Sequence, residues 1–329
     1  TRLNSLNVSG IFTLAFSIAC LMLYFGTYSG RVFQVTDVNS EISDSDYVVQ
    51  RIITCVIMLV ISFGYCIIMK YDSYKFSIVF LLCVLKGLEA FADVFYGILH
   101  KNDFLYKAGF SLTIKSLISV VLFFVVDLFT RNLILTILIV DIVWVLVLIF
   151  YDIPSANKLS NFKLMWNQKN LNFLFKSGFF IFLINFFSVY IVNAPKYALD
   201  GRVADSLQAI FGIILMPATL VSLAIQYFVQ PYLQKLALLF NELKKKEFNF
   251  LITKLVLITI GLGIVCLVGA FLLGIPVLSL VYGVDLTSYK VDLLIIITGA
   301  IFYSMSIIFS AALTTVRYTF VQFVIYLIT

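Results

Sequence analysis

Runs of about twenty residues with few or no charged side chains recur along the whole chain. That is the length at which an α-helix crosses the hydrocarbon core of a bilayer. Nine complete runs fall at about 8–29, 52–69, 77–99, 108–126, 132–151, 171–193, 208–230, 255–279 and 293–315, and a tenth opens at 318. None shows a polar residue at every second position, as a membrane-barrel strand would. The expected fold class is therefore all-α, a polytopic membrane protein. Composition agrees: 62% of the 329 residues are hydrophobic, 12% are charged, and mean hydropathy is +1.07. A soluble domain carries about twice that share of charge. Soluble enzymes, secreted disulfide scaffolds and nucleic-acid-binding modules are excluded on these grounds.

The chemistry-bearing residues narrow the field further. Cys20, Cys55, Cys66, Cys83 and Cys266 all lie in apolar runs without CxxC spacing, as buried reduced thiols do. His100 is the one histidine, so no metal site is expected. Gly261-Leu-Gly263 sits inside an apolar span, where small residues serve helix packing rather than dinucleotide binding. There is no P-loop, and no cofactor is expected. Asp44-Ser45-Asp46 has the form of the DxD of nucleotide-sugar transferases, but no nucleotide-binding domain surrounds it. It reads as a solvated loop that starts the next helix. The chain begins at Thr1 and its tenth run breaks off at Thr329, as expected of an internal piece of a longer chain.

Lysine and arginine in the connecting loops orient the spans. One alternate set of loops, with Arg31, Arg51, Lys101, Lys163, Lys176, Lys245 and Arg317 among its members, holds twice as many as the other. The poorer set includes Lys70, Arg131, Lys196 and Lys290. The richer set is expected in the cytoplasm of a plasma or inner membrane protein, and the net charge of +6 reports that topology. Two of its loops are long. Residues 152–170 read as an amphipathic interfacial linker, and 231–254, with Lys244-Lys245-Lys246, as a helix extending toward anionic headgroups. The linker divides the chain into a bundle over 1–151 (five spans) and another over 171–329 (four spans and a truncated fifth).

Charged residues within spans cost about 2.5 kcal/mol or more each and need a reason. Lys86, Glu89 and Asp93 lie on one side of the third span, over a rise of about 10 Å. Either Lys86 and Glu89 neutralise each other, or the stripe walls a polar cavity with a titratable carboxylate. Lys115 either snorkels to the headgroups or faces that cavity. Asp141, mid-span, either bonds a neighbouring helix or faces the cavity. Pro195, two residues after Asn193, should bend or stop the sixth span there, leaving either a broken end where Lys196 at the outer mouth could hold an anionic head group or a plain helix terminus. Pro217 and Pro231 punctuate the seventh span, where Gln226 and Gln230 lie nearly a turn apart and offer donors to a polar ligand.

Four stretches taken together resemble a known family. They are Arg31-Val-Phe-Gln-Val-Thr-Asp37 with Tyr47 and Arg51; Lys86 to Asp93 followed by Phe95-Tyr96-Gly97; Asn193 to Leu199; and Gly274-Ile-Pro276-Val-Leu with Tyr282-Gly283-Val-Asp285-Leu. In order and spacing they resemble the polysaccharide flippases (Wzx-type O-antigen and capsule transporters) of the multidrug/oligosaccharidyl-lipid/polysaccharide exporter superfamily. The resemblance implies two pseudo-symmetric helical bundles around a central cavity, with this piece lacking the first helix and at least the last. It implies a polyprenyl-diphosphate-linked oligosaccharide as substrate, moved from the inner to the outer leaflet by ion-coupled alternating access. Lys86, Lys115, Asn193, Lys196 and Gln226 are then the expected substrate-binding residues, and Glu89, Asp93 and Asp141 the ion-coupling candidates. Expected partners are the lipid bilayer and other polysaccharide-assembly membrane proteins, and no nucleic acid. Two rivals remain. A multidrug exporter of the same fold should line its cavity with aromatic and acidic groups. An integral membrane polymerase should carry a large outer loop with catalytic charges, and none of the outer loops is long, so the chain reads as a transporter and not an enzyme.

Overall fold

The computed structural model describes residues 2–37, 42–160, 162, 165–316 and 319–328, and these residues form helices and no strands. The helices are α1 (Leu6–Thr27), α2 (Gly30–Thr36), α3 (Asp44–Ile68), α4 (Ser73–Lys101), α5 (Leu105–Thr130), α6 (Leu133–Val147) and α7 (Ile153–Ser160). They continue as α8 (Gln168–Leu199), α9 (Asp205–Asn241), α10 (Lys245–Gly269), α11 (Ile275–Tyr282), α12 (Lys290–Thr315) and α13 (Thr319–Ile328). Among the described residues, eight helical stretches are long and apolar enough to span a membrane. The third expected span is the exception. It is one unbroken helix, α4, but Lys86, Glu89 and Asp93 crowd its apolar face. Lys163 and Arg317, both counted in the orienting loops, lie outside the described residues.

Contacts divide the chain into two compact units, Ile11–Ala198 and Thr1–Gly10 with Leu199–Thr329. The expected linker at 152–170 lies inside the first unit, and the change of unit comes at Leu199. Much of that linker is helix: α6 runs through a π-helical turn at Leu148–Asp152 into α7, and α8 begins at Gln168.

In the first unit, side chains near the helix starts satisfy backbone donors that have no partner within the helix. Ser43 caps α3 by accepting from the Asp46 N–H, and Asp72 caps α4 by accepting from Tyr74 and Lys75. Asn132 does the same for α6 through Leu135. Gly26 lets α1 approach closely: a Cβ there would lie 2.8 Å from the Ala90 Cβ and 2.9 Å from the Met58 sulfur. The core collects around α4, where Val94, Phe95, Ile98 and Leu99 pack with Tyr47, Val48 and Leu148. The α5 helix is inside-out by soluble standards. It buries Ala108, Ser111, Lys115 and Asp127, while Leu117, Val120 and Phe124 are exposed. Such a face belongs against lipid.

Among the described residues, the second unit has two apolar cores. One joins α9, α11 and α12 through Ile214, Leu278, Leu293 and Ile297; the other joins α9, α10 and α12 through Val229, Leu255 and Ile308. The α9 helix runs unbroken through Pro217 and on to Asn241, so much of the long basic loop is helix. Past its end, exposed Lys244 pairs with Glu242 at 2.8 Å. A π-helical turn at Ala270–Gly274 joins α10 to α11, and Gly283 ends α11 at φ +69°, a left-handed conformation that glycine adopts without strain. In the loop that follows, the Thr287 backbone N–H and hydroxyl both donate to Asp285 and hold its carboxyl below the usual range.

Candidate substrate-handling site

Three helices of the first unit bring charged groups together. On α4, Lys86 donates to Glu89 at 2.6 Å, with the two side chains 15% and 32% exposed. The ammonium also lies 5.3 Å from the Phe16 ring centre on α1. On α8, Lys196 donates to the Ser17 hydroxyl at 3.1 Å, and the Tyr197 hydroxyl donates to the Ser17 carbonyl at 2.9 Å. Cys20, three residues beyond Ser17, lies within electrostatic range of Lys86, Glu89 and Lys196. One polar strip of α1 therefore gathers three of the expected site residues, two of them cationic.

Aromatic residues hold α8 against that strip. Tyr28 and Phe182 stack at 4.9 Å, and Phe25 meets Phe182 and Phe186 at 5.1 and 5.3 Å. Tyr28 also donates to the Phe175 carbonyl at 3.2 Å, and Asn185 to the Ser29 hydroxyl at 3.3 Å. Large rings space the two helices, so small polar groups such as Ser17 remain accessible to long side chains.

The other expected residues sit elsewhere. Asp93, placed by helical phase beside Lys86, is engaged by two arginines: Arg31 at 3.1 Å and Arg51 at 3.2 Å. Arg51 is 2% exposed and also donates to the Gly26 carbonyl, which accepts from Thr54 as well. The reason is depth. Asp93 lies two turns along α4 from Lys86, level with the guanidinium groups of α2 and α3. From the sequence, both arginines stood out as orienting charges and as part of the stretches that carry the resemblance, not as partners of Asp93. The signal that identifies their role is an acid within a span at the same depth as two arginines at helix ends.

Lys115 neither snorkels nor faces a cavity. Its ammonium donates to Asp152 and to the Tyr96 hydroxyl, and Ser111 donates to the other Asp152 oxygen at 2.6 Å. The Tyr96 and Trp144 rings lie 5.6 and 5.0 Å from the ammonium. Lysine and aspartate are 1% and 0% exposed, so the charge is spent inside the unit. The sequence reading missed Asp152 because it sits at the boundary assigned to the linker. The π-helical turn keeps it within the packed helix.

Asn193 is spent on its own helix, donating to the Val189 carbonyl at 3.1 Å. The α8 helix does not stop there: it continues through Pro195 to Leu199, so the broken mouth expected from that proline is absent among the described residues. Asp141 is buried on α6, and neither carboxyl oxygen has a hydrogen-bond partner among the described residues. Gln226 is exposed on α9 of the second unit, and the Gln230 side chain lies outside the described residues. The same described residues contain no cluster of metal-ligating side chains.

No family profile matches the chain. A protein of Staphylococcus aureus named capsular polysaccharide biosynthesis protein CapF is 27% identical over 228 residues, which is 68% of this chain and 57% of that protein. The chain thus matches little more than half the length of this relative. Among solved structures, the inward-facing conformation of a multidrug resistance MATE family transporter of the MOP superfamily matches 96% of this chain and 80% of its own, with a TM-score of 0.61 and 14% identity. The fold is that of a membrane transporter. The resemblance to the polysaccharide flippases of that superfamily, drawn from four short stretches of sequence, is supported by both comparisons.

Proposed function

We propose that the chain is part of a transporter that moves a polyprenyl-diphosphate-linked oligosaccharide from the inner to the outer leaflet of the cell membrane. Movement follows alternating access and is coupled to an ion gradient. The observation that carries this reading is that two lysines reach the same stretch of α1: Lys86, paired with Glu89, lies over the Phe16 ring, and Lys196 donates to the Ser17 hydroxyl. A diphosphate carries at least two negative charges and crosses a bilayer only when they are compensated. Lysine supplies that compensation as a flexible point charge. Exchange of Lys86 between Glu89 and the diphosphate would free the carboxylate for a proton or cation, which links substrate to ion. The name of the capsular relative agrees with a saccharide cargo.

A second reading follows from the multidrug transporter of the same fold. A cationic drug would meet the ammonium groups of Lys86 and Lys196 along α1, which suit an anion better.

The experiment is export of lipid-linked oligosaccharide by cells carrying Lys86→Ala, Lys86→Arg or the double change Lys86→Ala with Glu89→Ala. Lys86→Ala abolishes export with the protein still inserted, and Lys86→Arg keeps part of it. Full export by the double variant would mean that Lys86 serves only to neutralise Glu89, and would reject substrate binding there.

A further inference from the structure

The Asp44-Ser45-Asp46 motif has no part in the reading above, yet it is not a solvated loop. Asp46 is 3% exposed. Its carboxylate accepts from the Ser43 hydroxyl at 2.8 Å and, across 124 residues of chain, from the Asn170 side-chain amide at 2.7 Å. These contacts tie the start of α3 to the start of α8, and beside them lies a cavity of about 590 Å³. Its lining includes Asp46, Trp166, Asn167, Gln168, Lys169 and Asn170. Trp166 is 66% exposed, and its indole N–H donates to Gln168 at 3.0 Å. Gln168 in turn donates to Asn172 at 2.8 Å. The indole is therefore oriented by a hydrogen-bonded chain while much of its surface stays open.

We propose that this cavity is a glycan-docking site for the saccharide of the transported lipid; the proposal rests on the transport reading above. Four features select the ligand class. The volume falls within the range of small-molecule sites, about 300–1,000 Å³. Carboxamides and a carboxylate present donors and acceptors side by side, as a vicinal diol requires. The indole offers an apolar platform to the C–H face of a sugar ring. Asp46 and Lys169 bring one charge of each sign, so the lining offers no net positive charge to an anionic ligand, and the polar run from Asn167 to Asn170 sets hydrogen-bonding groups against an acyl chain. A neutral, hydroxyl-rich ligand satisfies all four. By the lysine and arginine count this end of the helices faces the cytoplasm, the side from which the saccharide sets out.

The test uses the full chain in lipid nanodiscs and, as probe, the lipid-free oligosaccharide released by mild acid from the host cell's own lipid-linked pool. Saturation-transfer NMR reads contact between protein and sugar-ring protons, and titration gives the affinity. Binding is saturable, weakens about tenfold or more in Trp166→Ala, and is largely retained in Trp166→Phe. Unchanged thermal stability of Trp166→Ala excludes misfolding. Equal affinity of parent and Trp166→Ala overturns the site, as does quenching of Trp166 fluorescence by brominated acyl chains, which would seat the ring in lipid. Lack of probe binding in a protein that does export lipid-linked oligosaccharide removes the site and leaves the transport reading standing. Trp166-dependent binding in a protein that exports none keeps the site and removes that reading.

Discussion

Lys115 of α5 and Asp152 at the end of the π-helical turn form an ion pair from which solvent is almost wholly excluded. Ser111 and Tyr96 complete the hydrogen bonding of both charges. An ion pair in this position stands only because each charge is fully engaged. Removing one leaves the other orphaned among apolar side chains.

Lys115→Met alone is therefore expected to lower stability by about 3–5 kcal/mol. Combining it with Asp152→Leu restores most of the loss, since no unpaired charge remains. Thermal unfolding of the purified protein in detergent measures both. Equal stability of parent and single variant would show that the pair is not formed.

Asp93 serves two arginines of unequal burial, and the variants should rank accordingly. Arg31 is a third exposed, so Arg31→Ala is expected to cost about 1 kcal/mol or less. Asp93→Asn and Arg51→Ala leave a buried group without its partner and are expected to cost clearly more. The same unfolding assay reads the order, and an Arg31→Ala effect as large as that of Asp93→Asn contradicts it.

Gly26 marks a close approach of α1 to α3 and α4. Gly26→Leu is expected to destabilise by about 1–3 kcal/mol through overpacking. Gly26→Ala is expected to be milder and to improve when Ala90→Gly opens space opposite it. Improvement by Ala90→Gly in the unaltered Gly26 background would show that the contact does not set the spacing.

Asp141 has no hydrogen-bond partner among the described residues. Asp141→Asn is expected to leave stability equal or raised, because it removes an uncompensated buried carboxyl. If the residue carries the coupling ion, the variant also loses the dependence of export on an imposed ion gradient. Export measured in vesicles with and without the gradient decides that second point.

Orientation is accessible through exposed positions. A cysteine replacing Lys245 is expected to react with an impermeant maleimide only after the cytoplasmic face is opened, and one replacing Lys290 from outside intact cells. Labelling at position 245 from outside would invert the whole topology.

Long apolar runs determined by themselves that this chain is all-helical and lies in a membrane, because no other backbone arrangement of that length satisfies its own hydrogen bonds in lipid. The i,i+3 spacing of Lys86 and Glu89 likewise made one of their two readings an internal pair, since neighbours on one helix face meet whatever surrounds them. The partners of Asp93, Lys115 and Lys196 were decided only by tertiary structure. Each lies on another helix, at a depth set by how the helices slide past one another: Arg31 and Arg51 for Asp93, Asp152 for Lys115, Ser17 for Lys196. A helical wheel fixes direction around one axis and says nothing of that second coordinate. Proline carries the same lesson. Its sequence signal at Pro195 favoured a break, yet α8 passes through, because a helix fixed to α1 on both sides of the proline, by rings at Phe182 and Phe186 and by the bonds of Lys196 and Tyr197 to Ser17, can tolerate one missing backbone donor.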